Sequence, residues 1–374
     1  MKKVMKIGTI TYHTTSNFGA VLQSYALQKA IEQNLNCECD VIDYRSDYLD
    51  NLYKAKKITE ISNIKELIKW IIMHKHTEKS IMNFAKFRKE SLKQSEKTYT
   101  KENIAQTNSI YDVFITGSDQ VWNTNLNNND TTYFLDFVDS QKIKLSYAAS
   151  FGSKNCSQFV DRNLSYLLKD YQIISVREEE AKELVKQKIK RKTVELVLDP
   201  TLLLSEVTWN KIINERIIKE DYIVIYKIAD TPTMIEFARK LAKKEKCKVI
   251  CLHNSYQRFR GIKSIVDASP YEFLNYIKYA KYVVSSSFHG ICFSLIFHKN
   301  FYFELDNRKE NNNSRIESLI NLLGLNNRKI IDGKCEDKNE INYQTVSKKL
   351  NKEIEKSLKI IEKIGEYYEK GRKR

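Results

Sequence analysis

Proline and glycine are scarce, at 3 and 10 of 374 residues. That excludes collagen-like repeats and Pro-rich linkers. The seven cysteines (37, 39, 156, 247, 251, 292 and 335) are odd in number and scattered, unlike the dense framework of a small secreted domain. Cys37-x-Cys39 and Cys247-x-x-x-Cys251 lack the second pair of ligands that zinc needs, so they read as buried or idle thiols. No run approaches the ~20 apolar residues that span a bilayer. The N-terminus, Met1-Lys-Lys-Val-Met-Lys, runs into a strand-like segment without the apolar core of a signal peptide. A cytoplasmic location is expected. Acidic residues are outnumbered, 47 Asp and Glu against 63 Lys and Arg, for a net charge of +16. The excess favours anionic partners. Zinc-finger spacing, an RNA-recognition signature and a basic helix backed by heptads are all missing, so nucleic acid is set aside. No carboxylate cluster suggests a metal, and no cofactor is expected.

What is present is a globular composition, 42% hydrophobic and 29% charged, long enough for two domains. Residues 5–12 alternate like a strand, 19–35 carry a helical stripe, and 40–44 form a second strand. Such a βαβ start builds a parallel sheet with ligand sites beyond the strand carboxyl ends. Further strands are expected at 111–116, 143–148, 172–176 and 194–198, with helices at 160–170 and 177–189. Asp199-Pro200 breaks the pattern, which puts a domain boundary near 200–207. The alternation then repeats, with strands at 222–227, 247–252, 281–285 and 300–305. Helices are expected at 208–217, 232–244, 270–279, 290–298 and 315–323. Spacings of three and four from Val346 to Ile364 predict one amphipathic C-terminal helix.

Residues 54–97 stand apart, with 12 Lys or Arg against 5 Glu and apolar residues at helical spacing. They read as an amphipathic helical insertion with a solvated basic face, or as a patch touching an anionic membrane where lipid-linked sugars would be found. The domains expected are therefore 1–205 with the insertion 54–98, then 206–340, then a helix 341–374 returning to the first domain.

Four loops carry candidate chemistry. Thr14 to Ala20, with Asn17 and Gly19, joins the first strand to the first helix and could present backbone N–H groups to an anion or simply cap the helix. Thr116 to Asn123 follows a buried-looking strand. There Ser118, Asp119, Trp122 and Asn123 make a shelf for a sugar or nucleotide, the indole giving a flat face and one donor. Arg177 opens a helix at a strand end, where its guanidinium can fork onto a carboxylate or phosphate or pair along the helix. Ser285 to Gly290 again joins strand to helix; Ser286, Ser287 and Gly290 suit a phosphate, and His289 can move a proton near neutral pH. His253 follows a strand and lines the same region. His13 and His298 have weaker claims.

These pieces, taken in order, resemble the polysaccharide pyruvyl transferase family: Asn17 to Gln28 with Gln23, Gly117 to Asn123, Ser146 to Gly152, Ser175 to Arg177, Leu198 to Thr201, Ser286 to Gly290 and Asn313 to Ile316. They span about residues 5–325. The resemblance implies an α/β, GT-B-like architecture of two Rossmann-like domains facing a cleft. It also implies transfer of pyruvate from phosphoenolpyruvate, an anionic donor, onto two hydroxyls of a sugar or lipid-linked oligosaccharide, closing a ketal. In that family a His at position 289 is taken as the proton donor and an Arg at 177 as the donor's anchor. Asp119 would position an acceptor hydroxyl. One position departs from the family pattern: Ser287 stands where a second Arg is common. The positive charge would then come from Arg315, Lys227, Arg258 or Arg260. A sugar-nucleotide glycosyltransferase and a non-catalytic binding protein are the alternatives on such a scaffold.

Overall fold

The structure is a computed structural model that describes residues 4–152, 157–190, 193–229, 231–255, 257–308, 313–337 and 339–372. Its contacts divide the chain into two compact units: Met1–Leu52 with Arg88–Leu204 and Lys349–Arg374, and Tyr53–Phe87 with Ser205–Lys348.

The first unit holds strands β1 (Met5–Ile10), β2 (Cys37–Tyr44), β3 (Gln94–Tyr99), β4 (Val113–Thr116), β5 (Ile143–Ser146) and β6 (Tyr171–Ile173). They pair in the order β3-β2-β1-β4-β5-β6, all parallel. This is a Rossmann-like order, and its strand sequence reverses direction between β1 and β4. The central strands are apolar on both faces, as a parallel sheet covered on both sides requires; β4, Val-Phe-Ile-Thr, is buried throughout. Two short strands, β7 (Ser175–Val176) and β8 (Glu195–Leu196), form a separate parallel pair. Helix Phe18–Asn34 is buried along most of its length, and Asn17 caps it by accepting the Ala20 N–H. The C-terminal part of helix Tyr343–Arg372 packs into this unit. Ser357 Oγ accepts the Leu198 N–H at 3.0 Å, and Ile360, Ile361 and Ile364 are buried.

The second unit repeats the scheme with β9 (Tyr222–Tyr226), β10 (Lys248–Leu252), β11 (Lys263–Ile265), β12 (Tyr282–Ser285) and β13 (Asn300–Phe303). The order is β11-β10-β9-β12-β13, again all parallel, so the reversal falls between β9 and β12. The chain thus carries two Rossmann-like α/β sheets in tandem.

Three expectations need correction. The basic segment is not one block of helix: residues 94–99 are the edge strand β3, whose sequence Gln-Ser-Glu-Lys-Thr-Tyr exposes Glu96, Lys97 and Thr98, the polar and charged character common on edge strands. The rest of the segment, Tyr53–Phe87, clusters with the second unit and not the first. There His76 Nδ1 meets Asp267 Oδ2 at 2.9 Å, Asn83 Nδ2 donates to Asp267 O at 2.8 Å, and Phe87 packs on Tyr271. The helix expected at 208–217 ends at Asn210; beyond it, Asn275 holds the carbonyls of Asn214 and Glu215 in a non-helical run. The six described cysteines are free thiols. Cys156 lies outside the described residues.

Candidate functional site

Each sheet gathers its sequence-selected residues at its own reversal point, where open parallel sheets bind ligands. In the first unit β1 runs into Thr11 and β4 into Gly117 and Ser118. Thr11 Oγ1 donates to Ser118 O at 2.8 Å and accepts from Gln23 Nε2 at 2.9 Å. Gln23 therefore ties the first helix to the β1 and β4 ends from a fully buried position. The loop then turns at Asp119, whose φ of +77° is unusual for a residue other than glycine. Asp119 O accepts the Val121 and Ser150 N–H groups, which hold it there.

Arg177 lies at the centre of this loop cluster. Nη1 donates to Asp199 Oδ2 at 2.7 Å and to Ser118 Oγ at 3.4 Å, Nε donates to Glu178 Oε1 at 3.1 Å, and Nη2 lies 3.6 Å from Asp119 Oδ1. Burial alone would lower its pKa; Glu178, Asp199 and Asp119 outweigh that and hold it above its ordinary value. Three carboxylates already surround this cation. Expected as the anchor of an anionic donor, Arg177 is here a buried pin that joins the loops after β4, β7 and β8. Asp199, which the sequence marks as a break before Pro200 within the Leu198-to-Thr201 segment, is the nearest of the three carboxylates at 2.7 Å.

Trp122 is corrected too. Its side chain is 0% exposed, its Nε1 donates to Tyr133 O at 3.2 Å, and its ring stacks on Phe134 with centroids 5.4 Å apart. It is core, not a shelf. Asn123 Nδ2 donates to Gln120 Oε1 at 3.0 Å. Gly152, at φ +75°, passes close under that pair, where a Cβ would overlap both side chains. Asn17 is exposed and serves as the helix cap, with Gly19 buried behind it.

In the second unit the loop after β12 crosses the end of β9. Ser286 N donates to Tyr226 O at 3.1 Å, and Ser286 Oγ accepts the Ile228 and Ala229 N–H groups at 3.0 and 3.2 Å. Ser287 Oγ caps helix Phe288–Ile296 by accepting the Gly290 N–H. Both hydroxyls, expected as donors to a phosphate, are thus engaged as acceptors in holding the loop. His289 sits in the first turn of that helix, only 6% exposed, with its ring 5.3 Å from that of Phe288. The Arg315 guanidinium lies over the same Phe288 ring at 5.8 Å, within a cation–π distance. The structure therefore brings the Arg315 guanidinium to the His289 loop.

Gly290 is the position where the loop is tightest. A methyl group there would overlap Ser285 Oγ and stand 3.0 Å from the Tyr226 ring. Gly290→Ala is expected to destabilise the second unit by about 1–3 kcal/mol, as overpacked sites do, and to displace His289. A shift of the denaturation midpoint, with activity measured in parallel, checks this; an unchanged midpoint contradicts it.

A second polar group lies across the ends of β9, β10 and β13. Lys227 Nζ donates to Ala229 O at 2.6 Å and Thr231 Oγ1 at 3.2 Å. His253 Nδ1 accepts the Ser255 N–H at 3.3 Å, and its buried Nε2 has no protein partner. Burial, followed by Arg258 and Lys227, lowers the His253 pKa from 6.5 to about 4, so the ring is neutral at pH 7. Glu304, which gave no sequence signal, accepts the Thr233 N–H through Oε1 at 3.2 Å and has its pKa raised by burial. The unfolded chain binds a proton on residue 253 between pH 6.5 and 4 that the folded chain refuses. Stability should therefore fall as pH drops through that window. His253→Gln should flatten the slope; equal slopes for variant and parent, from denaturant midpoints at pH 7 and 5, would contradict this.

Among the described residues, no group of three or more His, Cys, Asp or Glu side chains is placed to hold a metal ion.

A family model described as polysaccharide pyruvyl transferase matches residues 17–303 of the chain. No curated protein matches it significantly. Among solved structures, the UDP-GlcNAc 2-epimerase from Methanocaldococcus jannaschii is 13% identical, covers 93% of this chain and 92% of its own, and has a TM-score of 0.46. An alpha-glucosyltransferase in complex with UDP is 9% identical over 96% and 95%, with a TM-score of 0.49. The ADP-heptose LPS heptosyltransferase II of E. coli is 10% identical over 94% and 99%, with a TM-score of 0.39.

Proposed function

The chain belongs to the polysaccharide pyruvyl transferase family, and from that premise we propose that it moves pyruvate from phosphoenolpyruvate onto two hydroxyls of a glycan, forming a cyclic ketal. The observation that carries this reading is the place of His289. It lies inside the family match, in a tightly held loop at the reversal point of the second sheet, with Arg315 over the adjoining Phe288.

The reaction needs a proton at the methylene carbon of the enol as a sugar hydroxyl attacks the neighbouring carbon. His289 is the donor of that proton and regains one from the acceptor. Loss of phosphate, which carries away the second hydroxyl's proton, leaves the carbon open to that second oxygen, and the ring closes. No water or oxidant enters. Arg315 supplies fixed positive charge for the donor. His253, neutral and with Nε2 unpartnered by protein, offers a further hydrogen-bonding nitrogen at the same end of the sheet.

The test is direct. Purified protein given phosphoenolpyruvate and a glycan acceptor should release inorganic phosphate only when both are present. Release of a nucleoside diphosphate from a nucleotide sugar, with phosphoenolpyruvate untouched, would assign a glycosyltransferase instead. No turnover of either donor would favour a binding protein.

A further inference from the structure

We propose that the outer face of helix Ile64–Ser91 is a docking surface for an anionic lipid bilayer. The apolar spacing in this segment leaves two readings in sequence, a packing stripe with a basic face turned to solvent or a patch touching an anionic membrane. In the structure much of the stripe is not packed but exposed. Ile64 is 74% exposed, Ile68 54%, Ile71 64%, Ile72 44% and Met82 69%. At 3.6 residues per turn these five positions fall within an arc of about 100°. They run for about 27 Å along the helix at 1.5 Å per residue.

The stripe is not an unused packing face, because the helix packs through its other side. Met73, Phe84 and Phe87 are buried there. Trp70 Nε1 donates to Lys56 O at 2.7 Å and stacks on His74. His76, Asn83 and Phe87 tie the helix to Asp267 and Tyr271. What faces outward is surplus to that packing. Aliphatic side chains gathered on an exposed helix face mark an interaction surface.

Charge selects the occupant. Lys75, Lys79 and Lys86 share the arc, and Lys65 and Lys69 border it, all five exposed. Lys79 also reaches Asp267 at 3.2 Å. Two acids accompany them, Glu90 within the arc and Glu78 at its border, 3.3 Å from His74, so the lysines outnumber the carboxylates on this face. An aliphatic stripe interleaved with lysines fits an interface where alkyl chains enter the headgroup layer and ammonium groups meet lipid phosphates. A second copy of this chain fits poorly, since like surfaces would set lysine against lysine. No helix among the described residues is long and apolar enough to cross a membrane, so the contact is one of lying on the surface. This inference does not depend on the reaction assigned above.

The experiment is sedimentation of the full chain with vesicles of phosphatidylcholine alone and of phosphatidylcholine mixed with phosphatidylglycerol. Binding is expected to the anionic vesicles and to weaken as salt is raised. The double variant Ile68→Asp/Ile71→Asp should lower the partition coefficient on the order of tenfold or more, and each Lys→Glu change at 65, 69 or 75 about fivefold or more. These side chains are exposed, so the thermal midpoint should not move. Failure to bind anionic vesicles would overturn the proposal. So would binding that survives the Ile68→Asp/Ile71→Asp change, or a dimer in sedimentation equilibrium that this change dissociates.

Discussion

Replacing His289 with Ala should lower turnover of phosphoenolpyruvate on the order of 10²–10⁴-fold, the range for loss of a general acid. The imidazole is held at the start of a helix whose cap, Ser287, and whose next residue, Gly290, are both fixed by the crossing over β9. The scaffold around it is built from serine hydroxyl and backbone contacts that the substitution leaves in place, so the fold should persist. If the proton is delivered in the transition state, kcat should collapse while KM changes little. His289→Gln, which keeps polarity and volume but cannot give up a proton, should be nearly as inactive as the Ala variant. A kcat within severalfold of the parent for either variant would remove His289 from the chemistry. An equal rise in KM alone would make it a binding group.

Arg177→Met should destabilise the first unit by about 3–5 kcal/mol, the cost of removing one partner from a buried ionic group. The variant leaves Asp119, Glu178 and Asp199 facing one another without their shared cation. At roughly 2–4 °C per kcal/mol for a unit of this size, its thermal midpoint should fall by about 6–20 °C. Arg177→Lys should recover little, because one ammonium cannot reach both Asp199 and Glu178 in the forked geometry of a guanidinium. Adding Asp199→Asn to Arg177→Met should return part of the loss, since the two sites share one network. An Arg177→Met protein with the parent's midpoint and a weakened affinity for phosphoenolpyruvate would restore the anion-gripping role that the geometry argues against.

Much of the fold was legible because parallel strands covered on both faces announce themselves. Tyr-Ile-Val-Ile-Tyr at β9 and Val-Phe-Ile-Thr at β4 are apolar throughout, and each is followed by a polar loop that enters a helix or turn. The loop after β4 is one of the four the sequence singles out, as is the loop after β12, and both lie at sheet reversal points. The strand β3 was hidden by its polarity: an edge strand needs only one partner and keeps charge on its free side. β11 was hidden by its length, three residues of Lys-Ser-Ile.

Side-chain roles were harder to read than loop positions. Residue type says that Arg177 can hold an anion and that Trp122 can stack on a sugar. Only the neighbours say that the first is surrounded by carboxylates and the second by Phe134, Phe151 and Tyr171. Glu304 was invisible because a single acid after a strand has no pattern. Arg315, named as a charge source, lies over the Phe288 ring next to His289, a contact that residue type alone does not reveal.

Ketal transfer to a glycan is decided by mass spectrometry of glycans from the parent strain and from a strain lacking the gene. Glycans of the parent should carry a substituent with the composition of pyruvate less one water, bridging two hydroxyls of one sugar, and those of the strain without the gene should lack it. Identical glycans in both, or a missing whole sugar where only the pyruvyl group should be lost, would contradict it.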